Sequence, residues 1–282
     1  MSTTLQYQLA ANRIRRLILK AMREQKGGHI GGSMSIADAI AVLYTDKLKY
    51  DPKNPKWEGR DWVVMSKGHA GPALYAALAL KGFFPEDELL TMNKPGTRLP
   101  SHCDRLKTPG VDMSTGSLGQ GASTAIGVAL GHKLRKMSNK VFLILGDGEC
   151  NEGQVWEGAL FAAQHGLDNL IVLIDYNRQQ LDGYTKDICD LGDLAGKFSE
   201  FGFYVQDIDG HDADALSSAI DNAKAHTGSP SAIILNTIKG KGCIVSEGVF
   251  SNHHMSVAQE KIDEAAAVLD AEYEALKAGG SR

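Results

Sequence analysis

Residues Val141–Gly153 read VFLILGDGECNEG: five apolar residues run unbroken into Gly-Asp-Gly, and an acidic, Asn-containing segment follows. A continuous apolar run is the pattern of a strand buried on both faces in a parallel sheet, unlike the in–out alternation of a half-exposed strand. A turn after such a strand needs one glycine. Two glycines around an acid leave the backbone open on both sides of a carboxylate, as expected where something bulky approaches and a cation sits between. Working outward, LIVLI (170–174) and AIILN (232–236) repeat the continuous pattern and FYVQD (203–207) is weaker, with helical segments near 153–165, 190–200 and 212–225 between them. The predicted fold class is α/β: a doubly wound, mostly parallel sheet with helices on both faces, binding its ligand outside the carboxyl ends of the strands.

The remaining elements fit around that core. Apolar spacing predicts a helix from Leu5 to Gln25, stopped by Gly27-Gly28, a second over 35–44, a strand in DWVVM, and a small-residue helix in GPALYAALALKG. An Ala/Gly-rich helix is expected over 118–137 and a closing amphipathic helix over 257–276, whereas residues 92–117 lack any period and read as a long loop. Loops of that length inside compact domains are usually functional or disordered. No repeat or linker divides the chain, which predicts one domain over 1–282 with an N-terminal helical segment and a C-terminal helix.

With 282 residues, 43% of them hydrophobic and 23% charged, the composition is that of an ordinary globular protein. A net charge of −4 argues against nucleic acid as the main partner, and no apolar run reaches the roughly 18–20 residues needed to span a bilayer. The charged, apolar-patterned start reads as a helix and not as a signal peptide. Cys103, Cys150, Cys189 and Cys243 are far apart and form no C-x-x-C pair, which predicts a reduced, cytoplasmic setting over a disulfide framework or a zinc site.

Asp147 follows one predicted strand directly and Asn177 follows the next. If those strands are neighbours, both side chains leave the same edge of the sheet. A carboxylate, an amide oxygen and a nearby carbonyl suit Mg²⁺ or Ca²⁺, and Mg²⁺ normally completes its shell with water and substrate phosphates. Gly146 and Gly148 let the backbone approach those phosphates, and the helix beginning near Glu152 aims its positive end at them. Alone, Gly-Asp-Gly is a common turn; the pairing with Asn177 is what makes a metal-bridged diphosphate the better reading.

The stretch GDGECNEGQVWEGALFAAQHGLDNLIVLIDYNRQQLDGYT resembles the diphosphate motif of thiamine-diphosphate enzymes, and the Gln, Asp-Gly and Thr after the Asn narrow the resemblance to transketolases. KGGHIGGSMSIADAIAVLY, RDWVVMSKGHAGPALYAAL, LKTPGVDMSTGSLGQGASTAIG and KGKGCIVSEGVFSNHHM resemble further transketolase segments in the family's order. The resemblance implies thiamine diphosphate with Mg²⁺, or Ca²⁺ or Mn²⁺, held by Asp147, Asn177 and the Gln179 carbonyl. It implies cofactor contacts from His69, Gly116, Ser117, Leu118, Gly148, Glu149, Asn177 and His253. Catalytic roles fall to His29, His102 and His253, with His254 the rival for the last position. Glu152 and Glu157 match acids near the family's subunit interface. His132, His165, His211 and His226 fit no motif and are read as structural, as Cys103 and Cys150 are read as packing residues.

Two departures lie on the substrate side. Ser101 and Cys103 flank His102 where the family often has Gly and Pro, and Asn252 precedes His253 where an aromatic is common. The chain resembles only the first part of a full transketolase, without the pyrimidine-binding and C-terminal domains. It therefore resembles the N-terminal subunit of a split transketolase, expected to work with a C-terminal partner as a heterotetramer of two plus two on sugar phosphates, without nucleic acid or membrane. The competing expectations are a split enzyme for another sugar derivative or for pyruvate, as in 1-deoxyxylulose-5-phosphate synthases, and a non-catalytic scaffold. A nicotinamide-dependent Rossmann enzyme is disfavoured, because no G-x-G-x-x-G follows an early strand.

Overall fold

The computed structural model describes residues 2–279. The strands are β1 (Gly27–Gly28), β2 (Trp62–Met65), β3 (Val141–Gly146), β4 (Leu170–Tyr176), β5 (Tyr204–Asp209), β6 (Ser231–Asn236) and β7 (Met255–Ser256). β2 to β6 form a five-stranded parallel sheet in the order β2-β3-β4-β6-β5, while β1 and β7 pair antiparallel. The helices are α1 (Thr3–Arg23), α2 (Gly31–Ser35), α3 (Ala37–Val42), α4 (Gly71–Leu80), α5 (Gln120–Leu134), α6 (Gly153–Gln164), α7 (Thr185–Ile188), α8 (Leu194–Glu200), α9 (Ala213–Ala225) and α10 (Gln259–Gly279).

The two-sided burial expected of unbroken apolar strands is present residue by residue. Phe142 and Ile144 of β3, with Ile171 and Leu173 of β4, pack under α1, α3, α4, α9 and α10. Their neighbours Leu143, Leu145, Val172 and Ile174 point to the other face, under α5, α6 and α8. Successive strand side chains alternate faces, so a strand buried on both must be apolar throughout. The weak FYVQD pattern has its cause in position: β5 is the edge strand, and none of its residues is fully buried.

The predicted helix over 35–44 instead starts at Gly31, in two pieces, and ends in a π-helical turn over Leu43–Lys47. Its start was hidden in glycines: a Cβ on Gly31 would lie 2.5 Å from the Asn252 carbonyl oxygen. The segment expected helical over 190–200 is broken, and α8 begins only where Asp193 caps it by accepting from the Gly196 N–H at 2.8 Å. Residues 92–117 are irregular as expected, yet held. The Thr115 hydroxyl donates to the Met65 carbonyl at 2.6 Å, and Asp112, paired with Arg60 at 2.7 Å, accepts from the Val63 N–H at 2.9 Å. Both ties fasten the loop to β2 and carry His102 and Gly116 to the carboxyl edge of the sheet. Among the described residues no helix is long and apolar enough to cross a membrane, and all four cysteines are free.

Candidate active site

Four adjacent strand ends build one cleft of about 270 Å³. Lys67 and His69 follow β2, Asp147 to Glu149 follow β3, Asn177 to Leu181 follow β4, and Lys239 follows β6. The register explains the convergence, because Gly146 is level with Asp175 and Tyr176 with Asn236. His29, His102, Gly116, Leu118 and His253 complete the lining.

Asp147 is 2% exposed. Its carboxylate accepts from its own neighbour Gly148 N–H at 2.8 Å and from the Arg178 N–H at 2.5 Å, the second bond made accessible by the left-handed backbone of Arg178. Burial, with the Asp175 charge adding to it, pushes the Asp147 carboxyl up to about 7. The Asn177 amide oxygen accepts from the Gln179 N–H at 3.1 Å while its NH₂ donates to Asp175 at 2.8 Å. Among the described residues no three His, Cys, Asp or Glu side chains could share a metal. A metal here would depend on one carboxylate, amide and carbonyl oxygens, and oxygens brought by its ligand, a hard-oxygen set.

The cleft also fits the anion. Lys239 is 4% exposed and forms no carboxylate ion pair among the described residues; its ammonium lies 3.4 Å from the Gln179 carbonyl and 3.3 Å from His253 Nδ1. Burial lowers it to about 8. The Gln179 side-chain oxygen is buried without a partner among the described residues. A Cβ on Gly148 would fall 2.8 Å from that of Gln180, so glycine keeps that wall open. A buried ammonium without a direct carboxylate partner, beside open backbone, suits an anionic ligand.

Five imidazoles cluster at the mouth. The His29 ring centre lies 5.5 Å from His69, 5.6 Å from His102, 5.4 Å from His253 and 4.7 Å from His254. His253 lines the cleft and touches Lys239, whereas His254 is exposed and packs on His29 from outside. Burial, then the neighbouring charges of His254, His102 and Lys239, lowers His29 to about 4. Burial and Lys239 lower His253 to about 3. Neutral imidazoles can accept protons at physiological pH.

Two residues differ from their expected contacts. Ser117 is exposed and not part of the cleft wall. Glu149 does line it, but its oxygens are taken by the Ser66 hydroxyl at 2.5 Å and the Gly119 and Gly146 N–H groups at 2.7 and 3.1 Å. Glu149 thus ties the ends of β2 and β3 to the start of α5 and has little left for a ligand. Sequence reading missed Lys67, Asp175 and Lys239. Each had a signal: a charged residue at the end of an apolar run, next to glycines or to a residue already singled out.

Comparison with known proteins agrees with this geometry. Residues 6–276 match the family model described as transketolase, thiamine diphosphate binding domain. The chain is 52% identical to a 6-deoxy-6-sulfo-D-fructose transketolase subunit of a Clostridium strain, covering 93% of this chain and 95% of that protein. It is 38% identical to an apulose-4-phosphate transketolase subunit of Actinobacillus succinogenes, over 85% and 87% respectively. The solved transketolase of Leishmania mexicana superposes with a TM-score of 0.86 at 30% identity, covering 99% of this chain and 46% of that one. The chain therefore spans under half of that transketolase but nearly all of the relative named as a subunit. It belongs to the transketolase family and matches that family's thiamine diphosphate-binding domain.

Proposed function

We propose that the chain is the N-terminal subunit of a two-subunit transketolase, moving a two-carbon ketol unit from a ketose phosphate to an aldose acceptor. The observation that carries the reading is the meeting of Asp147, Asn177, the Gln179 carbonyl and the buried Lys239 at adjacent strand ends, under the histidine cluster. Asp147, Asn177 and Gln179 would hold Mg²⁺, or Ca²⁺ or Mn²⁺ in its place. His69, Gly148, Asn177 and His253 would take the diphosphate, with Lys239 balancing its charge, and Gly116 and Leu118 would lie along the rest of the group. When bound, thiamine diphosphate supplies the electron sink for the carbon–carbon bond that breaks. His29 and His102 orient the sugar hydroxyls at the mouth, and each, lowered by burial, accepts and returns a hydroxyl proton.

The partner would be a C-terminal subunit carrying the pyrimidine-binding domain, in a cytoplasmic assembly of two plus two. Exposed Glu152, just before helix α6, and exposed Glu157, Leu160 and Phe161 on that helix are the surface offered to it. A second donor class is favoured by the 52% identity to a subunit named for 6-deoxy-6-sulfo-D-fructose: a ketose ending in a sulfonate. The test is donor cleavage by the chain, with and without the candidate partner, on xylulose 5-phosphate and 6-deoxy-6-sulfofructose with ribose 5-phosphate as acceptor. Activity only in the mixture, lost on EDTA treatment and in Asp147→Ala, is expected. Cofactor binding with silence on every donor would sink the transferase reading.

A further inference from the structure

His211, which fits no motif, belongs to a half-buried network beside the cleft. Asp38 on α3 accepts both terminal nitrogens of Arg15, at 3.0 and 2.5 Å, and Nδ1 of His211 at 2.7 Å. Burial pushes the Asp38 carboxyl up, but the Arg15 charge and the His211 hydrogen bond outweigh it and hold the group below its usual range. A carboxylate only accepts, so His211 donates from Nδ1. Its other ring nitrogen, Nε2, accepts the Ile238 N–H at 2.8 Å. Arg15 uses its remaining Nε to donate to the Lys241 carbonyl at 2.9 Å. Its stem lies against Gly242, where a Cβ would come within 2.9 Å of Arg15 Cδ and where φ is +76°. The backbone leaving β6 is thus gripped on both sides of one residue, Lys239, the buried ammonium with no carboxylate of its own among the described residues.

We propose that His211, anchored on Asp38, is a positioning residue that holds the backbone of Ile238 so that the Lys239 ammonium stays in the cleft. The inference rests on the reading of the cleft as a diphosphate site. A long flexible side chain carrying an unpaired charge gains by swinging to water, and keeping it buried requires that its backbone have no freedom. Among the described residues the Ile238 N–H is fixed by His211 alone.

Calorimetric titration of the full chain with inorganic pyrophosphate and Mg²⁺ tests this, alongside a thermal melt of each variant. His211→Asn keeps an amide against Asp38 but cannot reach the Ile238 N–H, whereas His211→Gln reaches it with an acceptor oxygen. Loss of one hydrogen bond to the segment is expected to weaken pyrophosphate about tenfold in His211→Asn, with His211→Gln within about twofold of wild type. Lys239→Met weakens binding at least as much, and adding His211→Asn to Lys239→Met costs nothing further, because the residue being positioned is gone. Wild-type binding that is lost in Lys239→Met but unchanged in His211→Asn overturns the proposal alone. So does an equal loss from His211→Asn in both backgrounds, which would mark a general structural effect. No binding by wild type overturns the diphosphate reading and the proposal with it.

Discussion

Lys67 Nζ lies 2.5 Å from Asp175 Oδ2 in the floor of the cleft, with the two side chains 2% and 0% exposed. Asp175 also accepts from Ser35 at 2.6 Å, from Asn177 at 2.8 Å and from Thr237, so one carboxylate joins α2 to the ends of β4 and β6. Burial pushes it up, yet the Lys67 charge and these donors hold it below its ordinary value. Removing one member of a buried pair strands the other. Lys67→Met is expected to cost about 3–5 kcal/mol, read by urea unfolding. A cost within about 0.5 kcal/mol, the range of an ordinary surface substitution, would mean the pair is not structural.

Asn252 is a buried clamp. Its side-chain NH₂ donates to the Lys239 and Ser246 carbonyls at 3.0 and 2.8 Å, and its own carbonyl accepts from the Gly31 N–H at 3.0 Å. Asn252→Ala leaves the Lys239 carbonyl without its donor, while the Ser246 carbonyl keeps the Val249 N–H. A loss of about 1–3 kcal/mol is expected, and weaker pyrophosphate binding should accompany it because the Lys239 loop is released. Unfolding and titration on the same variant check both, and stability loss with unchanged binding would exclude the second effect.

Much of this was legible in the residues alone, for reasons that differ from one to the next. Phe142 to Leu145 announce a two-faced strand because both faces demand apolar side chains, and the periodicity needs no tertiary knowledge. The meeting of Asp147 and Asn177 in one cleft was legible because each directly follows a predicted strand, and those strands are neighbours. Gly31 concealed a helix start, since its reason is contact with Asn252, far away in sequence. Lys239 and the Arg15–Asp38–His211 network were invisible for the same cause: their meaning lies in contacts between distant segments, which no local pattern encodes.

The histidine cluster makes the free chain acid-sensitive. His29 is lowered to about 4 and His253 to about 3 from an ordinary 6.5. As pH falls below about 6.5 the unfolded chain takes up these protons first, so stability present above that pH drains away down to about 4 and then 3. The groups facing His29 are His69, His102, His253 and His254, with the Lys239 charge nearby. His29→Asn should therefore melt with a shallower slope than wild type between pH 6.5 and 4. Superimposable slopes would show that His29 binds its proton equally in both states.

Two glycines separated by one short turn should respond in opposite directions to alanine. A Cβ on Gly148 meets Gln180 Cβ at 2.8 Å and the Gln180 side-chain oxygen at 3.2 Å. The first atom cannot swing away without moving the backbone after β4, which carries Asn177 and Gln179. Overpacking of this kind costs about 1–3 kcal/mol, and pyrophosphate with Mg²⁺ should bind Gly148→Ala at least tenfold more weakly if that turn holds the metal. Gly153, the first residue of α6, has no atom within 4 Å of its Cβ position and no left-handed backbone. There alanine only restricts the unfolded chain and favours the helix, for a gain of about 0.4–1 kcal/mol. Unfolding of the two variants beside wild type reads the contrast directly. A stabilised Gly148→Ala that keeps full pyrophosphate affinity would mean that the wall formed by Gly148 and Gln180 yields freely and does not shape the site.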